Sequence, residues 1–183
     1  MLLGCNKLGA EHSVAIRSTD GRVHTVVGID TSLANLRMAA KFTGRKRSLR
    51  LLCMDAIYMG FRDHIFDLTL CVQNGICAFA VDQQKLVREA LRVTRSGGLL
   101  LFSSYSAQFW EHRLQWFEIQ SAHRLIGEID HQATGNGVIV CKDGFRATTA
   151  DRTMFETLAA GLGVTPRITE VDGSSLFCEI VVP

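Results

Sequence analysis

This 183-residue sequence predicts an α/β fold built on a mainly parallel sheet, and three observations carry that prediction. Apolar, strand-like runs alternate with segments of helical periodicity over the first hundred residues, and such alternation implies right-handed crossovers between parallel strands. The run "HTVVGID" (24–30) is β-branched, apolar and closed by an acid, the mark of a buried parallel strand. The length suits one domain with a substantial core.

Each element follows in order. Met1-Leu2-Leu3 is a short apolar start, and Gly4-Cys5-Asn6 with Gly9 then reads as a glycine-rich turn after a first strand. After the strand at 24–30, "LANLRMAAK" (33–41) spaces Leu33, Leu36, Ala39 and Ala40 as a helix, with Ser32 as its N-cap. Strands are expected at 48–56 and 66–73. The segment 82–98 reads as a helix with Leu86, Ala90 and Leu91 inward, ended by Gly97-Gly98, and "GLLLFSSY" (98–105) as a fifth strand. The rhythm then changes. Residues 106–132 form a long amphipathic helical stretch, with Trp110, Leu114 and Phe117 at i, i+4 and i+7. Residues 137–149 read as a hairpin or paired strand turning at Asp143-Gly144. A helix over 151–163 carries Phe155, Leu158, Ala159 and Leu162 on one face, and two strands around Asp172-Gly173 close the chain. No repeat, low-complexity tract or linker divides it. The expected organisation is a single domain over 1–183, with a core at 1–105, an insert or lid at 106–150, and a helix with closing strands at 151–183.

Composition excludes several classes. Hydrophobic residues make up 47% and charged residues 21%, which is ordinary for a soluble protein, and a formal charge of +2 provides no bulk attraction to nucleic acid. No apolar stretch approaches the ~20 residues of a membrane span, and the start lacks the basic and apolar regions of a signal peptide. None of the six cysteines forms C-x-x-C or lies beside a histidine at zinc spacing, so no metal site is expected. Cys53, Cys71, Cys141 and Cys178 sit in apolar runs, where a thiol acts as a small hydrophobe. Reduced cysteines point to a cytoplasmic protein.

Gly4-x-Asn6-x-x-Gly9 is a variant of the G-x-G-x-x-G turn with Asn in the middle, the side chain that best tolerates left-handed backbone. A simple strand-to-helix turn would look the same. Asp30 stands where nucleotide-binding sheets accept the two ribose hydroxyls, and it is equally placed to cap the next helix. A nicotinamide enzyme fits this far. The stretch "MDAIYMGFRDHIFDLTLCVQNG" is more specific: an acid-Ala pair ends the third strand, and F-x-D-x-x-F-D (61–67) leads into the fourth. This resembles the Rossmann-like S-adenosylmethionine-dependent methyltransferases. "VVGIDTS" is similar to their second-strand motif, and "VREALRVTRSGGLLLF" to their approach to strand five, with Val87 in place of the usual Leu. The resemblance covers about 4–105 and 151–183, with 106–150 as a variable insert.

The resemblance implies a three-layer α-β-α sandwich whose sheet has seven strands, mostly parallel, with an antiparallel C-terminal pair. It implies S-adenosyl-L-methionine as cofactor, with Gly4, Cys5, Asn6 and Gly9 along its methionine and ribose. It also implies Asp30 at the ribose diol beside Thr31, and Asp55 at the adenine amino group with Ala56 near the ring. Gln73 and Asn74 would face the methionine end. Asp55 could instead be only a turn residue, and Asn74-Gly75 only a turn. The absence of an N-P-P-Y type motif after strand four, of a Pro-Cys pair and of a carboxylate set points to a small-molecule methyl acceptor. Tyr105, Phe109, Trp110 and Trp116 are candidates for its wall, although aromatic packing of the lid would place Phe109 and Trp110 there as well. No catalytic residue is singled out; His112, His123 and His131 could each serve as a base or simply be solvated.

Two alternatives stay open. The run 41–50, with Lys41, Arg45, Lys46, Arg47 and Arg50, could serve an RNA or protein methyltransferase, although a solvated face at a helix end is the simpler reading. The other alternative is a cofactor-binding or degenerate module without turnover. The family usually has an acid two places before its first glycine, where this chain has Leu2. The opening therefore reads as the stump of a first strand, left by truncation or a misplaced start. Nucleic acid and membrane are not expected as partners, and a homodimer is compatible with the sequence without being dictated by it.

Overall fold

The computed structural model describes residues 2–3, 25–44 and 48–183. The chain runs β1 (Leu2–Leu3), β2 (Val26–Asp30), α1 (Leu33–Thr43), β3 (Leu49–Cys53), β4 (Phe66–Cys71), the single turn α2 (Gly75–Ala78), α3 (Gln83–Val93) and β5 (Thr94–Tyr105). It continues through α4 (Trp110–Ala122), β6 (Ile139–Val140), β7 (Arg146–Ala147), α5 (Arg152–Ala160), β8 (Pro166–Val171) and β9 (Ser175–Val181). Seven of these strands form one mixed sheet in the order β3-β2-β1-β4-β5-β9-β8. Neighbours from β3 to β5 pair in parallel, while β9 runs antiparallel to both β5 and β8.

The order reverses between β1 and β4. Right-handed crossovers therefore carry α1, between β2 and β3, and α3, between β4 and β5, to opposite faces of the sheet. Side-chain caps start α1, α3 and α5: Ser32 accepts from the Asn35 amide, Asp82 from Lys85 and Asp151 from Met154. Each such cap contributes about 1 kcal/mol. Leu86, Val87, Ala90 and Val93 of α3 and Phe155 of α5 are buried with Ile29, Leu100, Phe102, Cys178 and Ile180 of the sheet in the main core. Asp172 (φ 51) and Gly173 (φ 60) form the left-handed turn that joins β8 to β9, as Asp-Gly permits.

Three expectations are corrected here. The third helix stops at Val93, short of Gly97-Gly98, and β5 begins at Thr94. Thr94 is extended and fully buried; its hydroxyl binds the Ala90 carbonyl and Thr69, and its backbone pairs with Phe66. Pairing with β4 outweighs helical continuation there. The helical stretch expected over 106–132 ends at Ala122, after a short 3₁₀ turn at Ala107–Phe109. Arg124 turns left-handed (φ 58), and the chain folds back so that Ile129 bridges Cys141 and the Asp130 amide bonds the Val140 carbonyl. Finally, Cys53 is exposed on the edge strand β3 and is not a core hydrophobe, whereas Cys71, Cys141 and Cys178 are buried.

The insert has a core of its own. Phe117, Ile129, Ile139 and Cys141 are buried together, with Trp110, Leu114, Ile126, Phe145 and Ala147 packed around them. The inward face of α4 runs through Arg113, Phe117 and Gln120, so Trp110 and Leu114 lie at its margin. The antiparallel pair β6–β7, with Gly144 left-handed (φ 91) in its turn, completes this unit.

Candidate functional site

The carboxyl ends of β2, β3, β4 and β5 lie along one edge of the sheet, beside the point where strand order reverses. Open α/β sheets bind ligands at that point. Asp30 closes β2 and is partly buried. Its Oδ1 accepts from the Ser32 amide at 2.6 Å and its Oδ2 from the Asn35 side chain at 3.3 Å. An ionised carboxylate has about four acceptor positions, so the capping bonds leave room for a diol. Thr31 beside it is exposed. The Met54 amide binds the Asp30 carbonyl at 3.1 Å and thereby holds the ends of β2 and β3 together. Asp55 follows immediately. Its Oδ1 accepts from the Ile57 amide at 3.0 Å, a turn-forming bond, while Ala56 is buried against the core.

The loop carrying Asp55 is anchored from α3 by a network centred on Arg92. Its Nε and Nη2 donate to the two Glu89 oxygens at 2.8 and 2.7 Å, and Nη1 and Nη2 donate to the Phe61 and Met59 carbonyls, both at 2.9 Å. Glu89 in turn accepts from the Met59 amide at 2.7 Å, and Arg92 also pairs with Asp63. The Arg92 side chain, working against partial burial, holds the Glu89 carboxyl below the usual carboxylate range. Sequence reasoning passed over this pair, although E-x-x-R on a helix preceding a central strand is a visible i, i+3 ion pair.

After β4 the backbone takes two successive left-handed residues, Gln73 (φ 57) and Asn74 (φ 59). Non-glycine residues in this region carry strain and persist where surrounding bonds hold them. Here Ser103 of β5 does so: its hydroxyl accepts from the Gln73 amide at 2.8 Å and its carbonyl from the Asn74 amide at 2.9 Å. Gln73 is exposed at the turn, whereas Asn74 is buried. The Asn74 Nδ2 donates to the Thr148 carbonyl at 2.7 Å, and its Oδ1 accepts from the Ser104 hydroxyl at 2.8 Å. Ser104 also accepts from the Ala150 amide at 2.8 Å. The return segment of the insert is thus joined to the carboxyl ends of β4 and β5.

The aromatic candidates separate. Tyr105 ends β5, with its ring stacked on Phe109 at 6.1 Å, and Phe109 stacks on His112 at 5.2 Å. Trp110 is partly buried at the edge of the insert core. Trp116 is 45% exposed and meets Phe117 edge to face. His112, His123 and His131 are all exposed. Gly4, Cys5, Asn6 and Gly9 lie outside the described residues. Among those described, no cluster of His, Cys, Asp or Glu is arranged to hold a metal ion.

The structure adds one residue that the sequence reading left out. Arg113 is 2% exposed on the inward face of α4, with its guanidinium over the rings of Tyr105 and Phe117 (5.4 Å each) and Trp110 (6.0 Å). Its nitrogens donate to the carbonyls of Gly137 (2.9 Å), Ala147 (3.0 Å) and Thr148 (3.4 Å). The available signal was helical phase: Arg113 lies four residues before Phe117, on the same stripe.

Comparison with known proteins agrees with this geometry. A protein from Pyrococcus horikoshii superposes with a TM-score of 0.63 over 87% of this chain and 72% of its own, at 21% identity. A SAM-dependent methyltransferase from Methanosarcina mazei gives 0.60 over 85% and 81%, at 15% identity. The N-methyltransferase NodS from Bradyrhizobium japonicum, solved with S-adenosyl-L-homocysteine, gives 0.53 over 87% and 67%, at 14% identity. At these identities the likeness is one of fold. No curated protein matches the sequence. Residues 3–102, more than half the chain, match the methyltransferase domain family. With the strands, the switch point and the two acidic loop ends in place, the chain belongs to that family, the enzymes that take their methyl group from S-adenosylmethionine.

Proposed function

We propose that this enzyme methylates a small-molecule acceptor held between the carboxyl ends of β4 and β5 and the insert at 106–150. The observation that carries this reading is the pair of bonds joining Asn74 to Thr148 and Ser104 to Ala150, which draws the insert over the edge where the methyl group would lie. An insert so placed encloses a small acceptor and obstructs a polymer. The described members of the basic run support the same choice. Lys41 lies in the last turn of α1 and Arg50 is second in β3, so both lie at the opposite end of the strands from Asp30 and Asp55.

The residues present fit the cofactor. Asp30 retains acceptor positions for the ribose diol with Thr31 beside it, and Asp55 retains Oδ2 for the adenine amino group with Ala56 against the ring. Gln73 would face the methionine end, and Gly4, Cys5, Asn6 and Gly9, outside the described residues, would line the methionine and ribose. The Asn74 amide is already bonded at both ends and acts by shaping this turn. When bound, S-adenosylmethionine would supply a methyl carbon already activated by its sulfonium for in-line transfer to the acceptor nucleophile. The protein's own part is to orient the nucleophile and exclude water, and orientation can supply most of the acceleration. Tyr105 and Phe109 form the wall nearest the strand ends, with Trp110 behind them and Trp116 on the outer side.

We read the chain as a single domain, with core 1–105, insert 106–150 and closing elements 151–183, forming a three-layer sandwich. No helix among the described residues is long and apolar enough to cross a membrane, and the free cysteines suit the cytoplasm. Tritiated methyl transfer into a cell extract, separated into small-molecule, RNA and protein fractions, tests the reading. Label in the small-molecule fraction is expected, and label confined to RNA or protein refutes it.

A further inference from the structure

Arg113 has the largest fully buried side chain among the described residues, and its positive charge has no counter-charge there. Its three hydrogen-bond acceptors are neutral carbonyls, its three ring neighbours are uncharged, and none of the ion pairs among the described residues includes it. Its Nε–H is buried without any partner. Burial holds the guanidinium below its ordinary value, against smaller opposing effects of Tyr105 and Cys77. A buried charge left unpaired is costly, and a buried donor left unpaired adds to that cost.

Holding the insert together does not by itself account for a charge here. Asn74 bonds the same Thr148 carbonyl at 2.7 Å with a neutral amide. A guanidinium becomes useful when an anion is to be met, because it is always charged and presents its donors in a rigid fork. Its position agrees. The guanidinium lies over Tyr105, the last residue of β5, and beside Thr148, which is joined to the turn after β4. That is the side of the sheet assigned above to the acceptor.

We infer that Arg113 is a specificity residue whose unpaired Nε–H receives a carboxylate carried by the methyl acceptor. The inference rests on the small-molecule methyltransferase reading and adds the acceptor's charge to it. Nε is buried, so the carboxylate reaches it as the return segment 146–150 shifts, which releases the Asn74–Thr148 and Ser104–Ala150 bonds together with Arg113's own bonds to the Ala147 and Thr148 carbonyls.

The test uses the full chain saturated with S-adenosylhomocysteine and titrated calorimetrically with aromatic carboxylates, benzoate and indole-3-acetate, each against its own carboxamide. The carboxylates are expected to bind about tenfold or more tighter than the amides, the difference a charge-assisted bond makes. Arg113→Gln keeps donors for the carbonyls but removes the charge. It is expected to abolish the preference while leaving affinity for S-adenosylhomocysteine within about twofold, and Arg113→Lys to restore part of the preference. Equal binding of acid and amide by the unsubstituted protein, binding of neither, or a preference that survives Arg113→Gln overturns the inference. Should Arg113→Gln not fold, the acid–amide comparison on the unsubstituted protein decides alone. Failure to bind S-adenosylhomocysteine is a separate result and overturns the functional reading underneath.

Discussion

Replacing Arg92 with alanine tests whether the loop that carries Asp55 is held in place from α3. The substitution removes two bonds to Glu89 and one each to the Met59 and Phe61 carbonyls, besides the pair with Asp63. Buried charged hydrogen bonds contribute about 1.5–3 kcal/mol, whereas exposed ion pairs contribute about 0.2–1. Arg92 is 31% exposed and Glu89 15%, so this network lies between those limits. Bonds sharing one side chain do not add, and a loss of about 2–3 kcal/mol is expected for the whole. For a chain of this size that lowers Tm by about 4–12 °C. Urea titration gives the free energy, and calorimetry with S-adenosylhomocysteine gives the consequence for the site, where affinity should fall as the loop loosens. Arg92→Lys keeps the charge without the fork and should recover only part of the loss. The sign with pH follows from Glu89, whose carboxyl is held below its usual range chiefly by the Arg92 hydrogen bond. Its contribution is complete above the ordinary carboxylate range and disappears as pH falls through the lowered folded value. The unsubstituted protein should therefore lose more stability than Arg92→Ala on acidification through that window. A loss below about 0.5 kcal/mol, or full recovery by lysine, would refute the assignment of an anchoring role.

Three further outcomes follow from the same geometry. Asp30→Ala should weaken S-adenosylmethionine binding by about 1–3 kcal/mol in calorimetry, as expected for a charged hydrogen-bond acceptor, and unchanged affinity would remove Asp30 from the cofactor site. Ser103→Ala leaves the Gln73 amide without its 2.8 Å partner at a turn with two left-handed residues. It should cost about 1–2 kcal/mol in urea titration and lower kcat more than the acceptor's KM; an unaltered turnover would show that the turn does not shape the methyl site. Among the described cysteines, iodoacetamide should label exposed Cys53 first. Burial raises the thiols of Cys71 and Cys178, the latter to about 12, and peptide mass spectrometry of the native protein should find both protected. Labelling of either at the rate of Cys53 would contradict that burial.

The cofactor half of the protein was legible in the sequence because its signals are local. Val26–Asp30 announces itself as a buried strand by composition, Ser32 as a cap by position, and Asp172-Gly173 as a turn by the backbone it permits. The acids at positions 30 and 55 stand at the ends of predicted strands, so their placement on one edge of the sheet followed once the strands were parallel. The boundary at Val93 was not legible, because Thr94 is drawn into the sheet by Phe66 and Thr69, partners more than twenty residues away. The same holds for 123–132, where pairing with the segment around Cys141 replaced the helix that periodicity predicted.

The acceptor side depended on tertiary structure almost throughout. Asn74 looked like half of an Asn-Gly turn, yet its amide reaches Thr148 of the insert, 74 residues on, while accepting from Ser104 of β5. Arg113 looked like one charged position on a long helix, and became a buried cation only when the return segment and three aromatic rings closed around it. Sequence alone determined the fold family and the cofactor, since strand periodicity, caps and glycine turns act over a few residues. Which face of α4 turned inward, and so which side chains meet at the strand ends, was decided by long-range packing, because a helix's buried stripe is chosen by what packs against it.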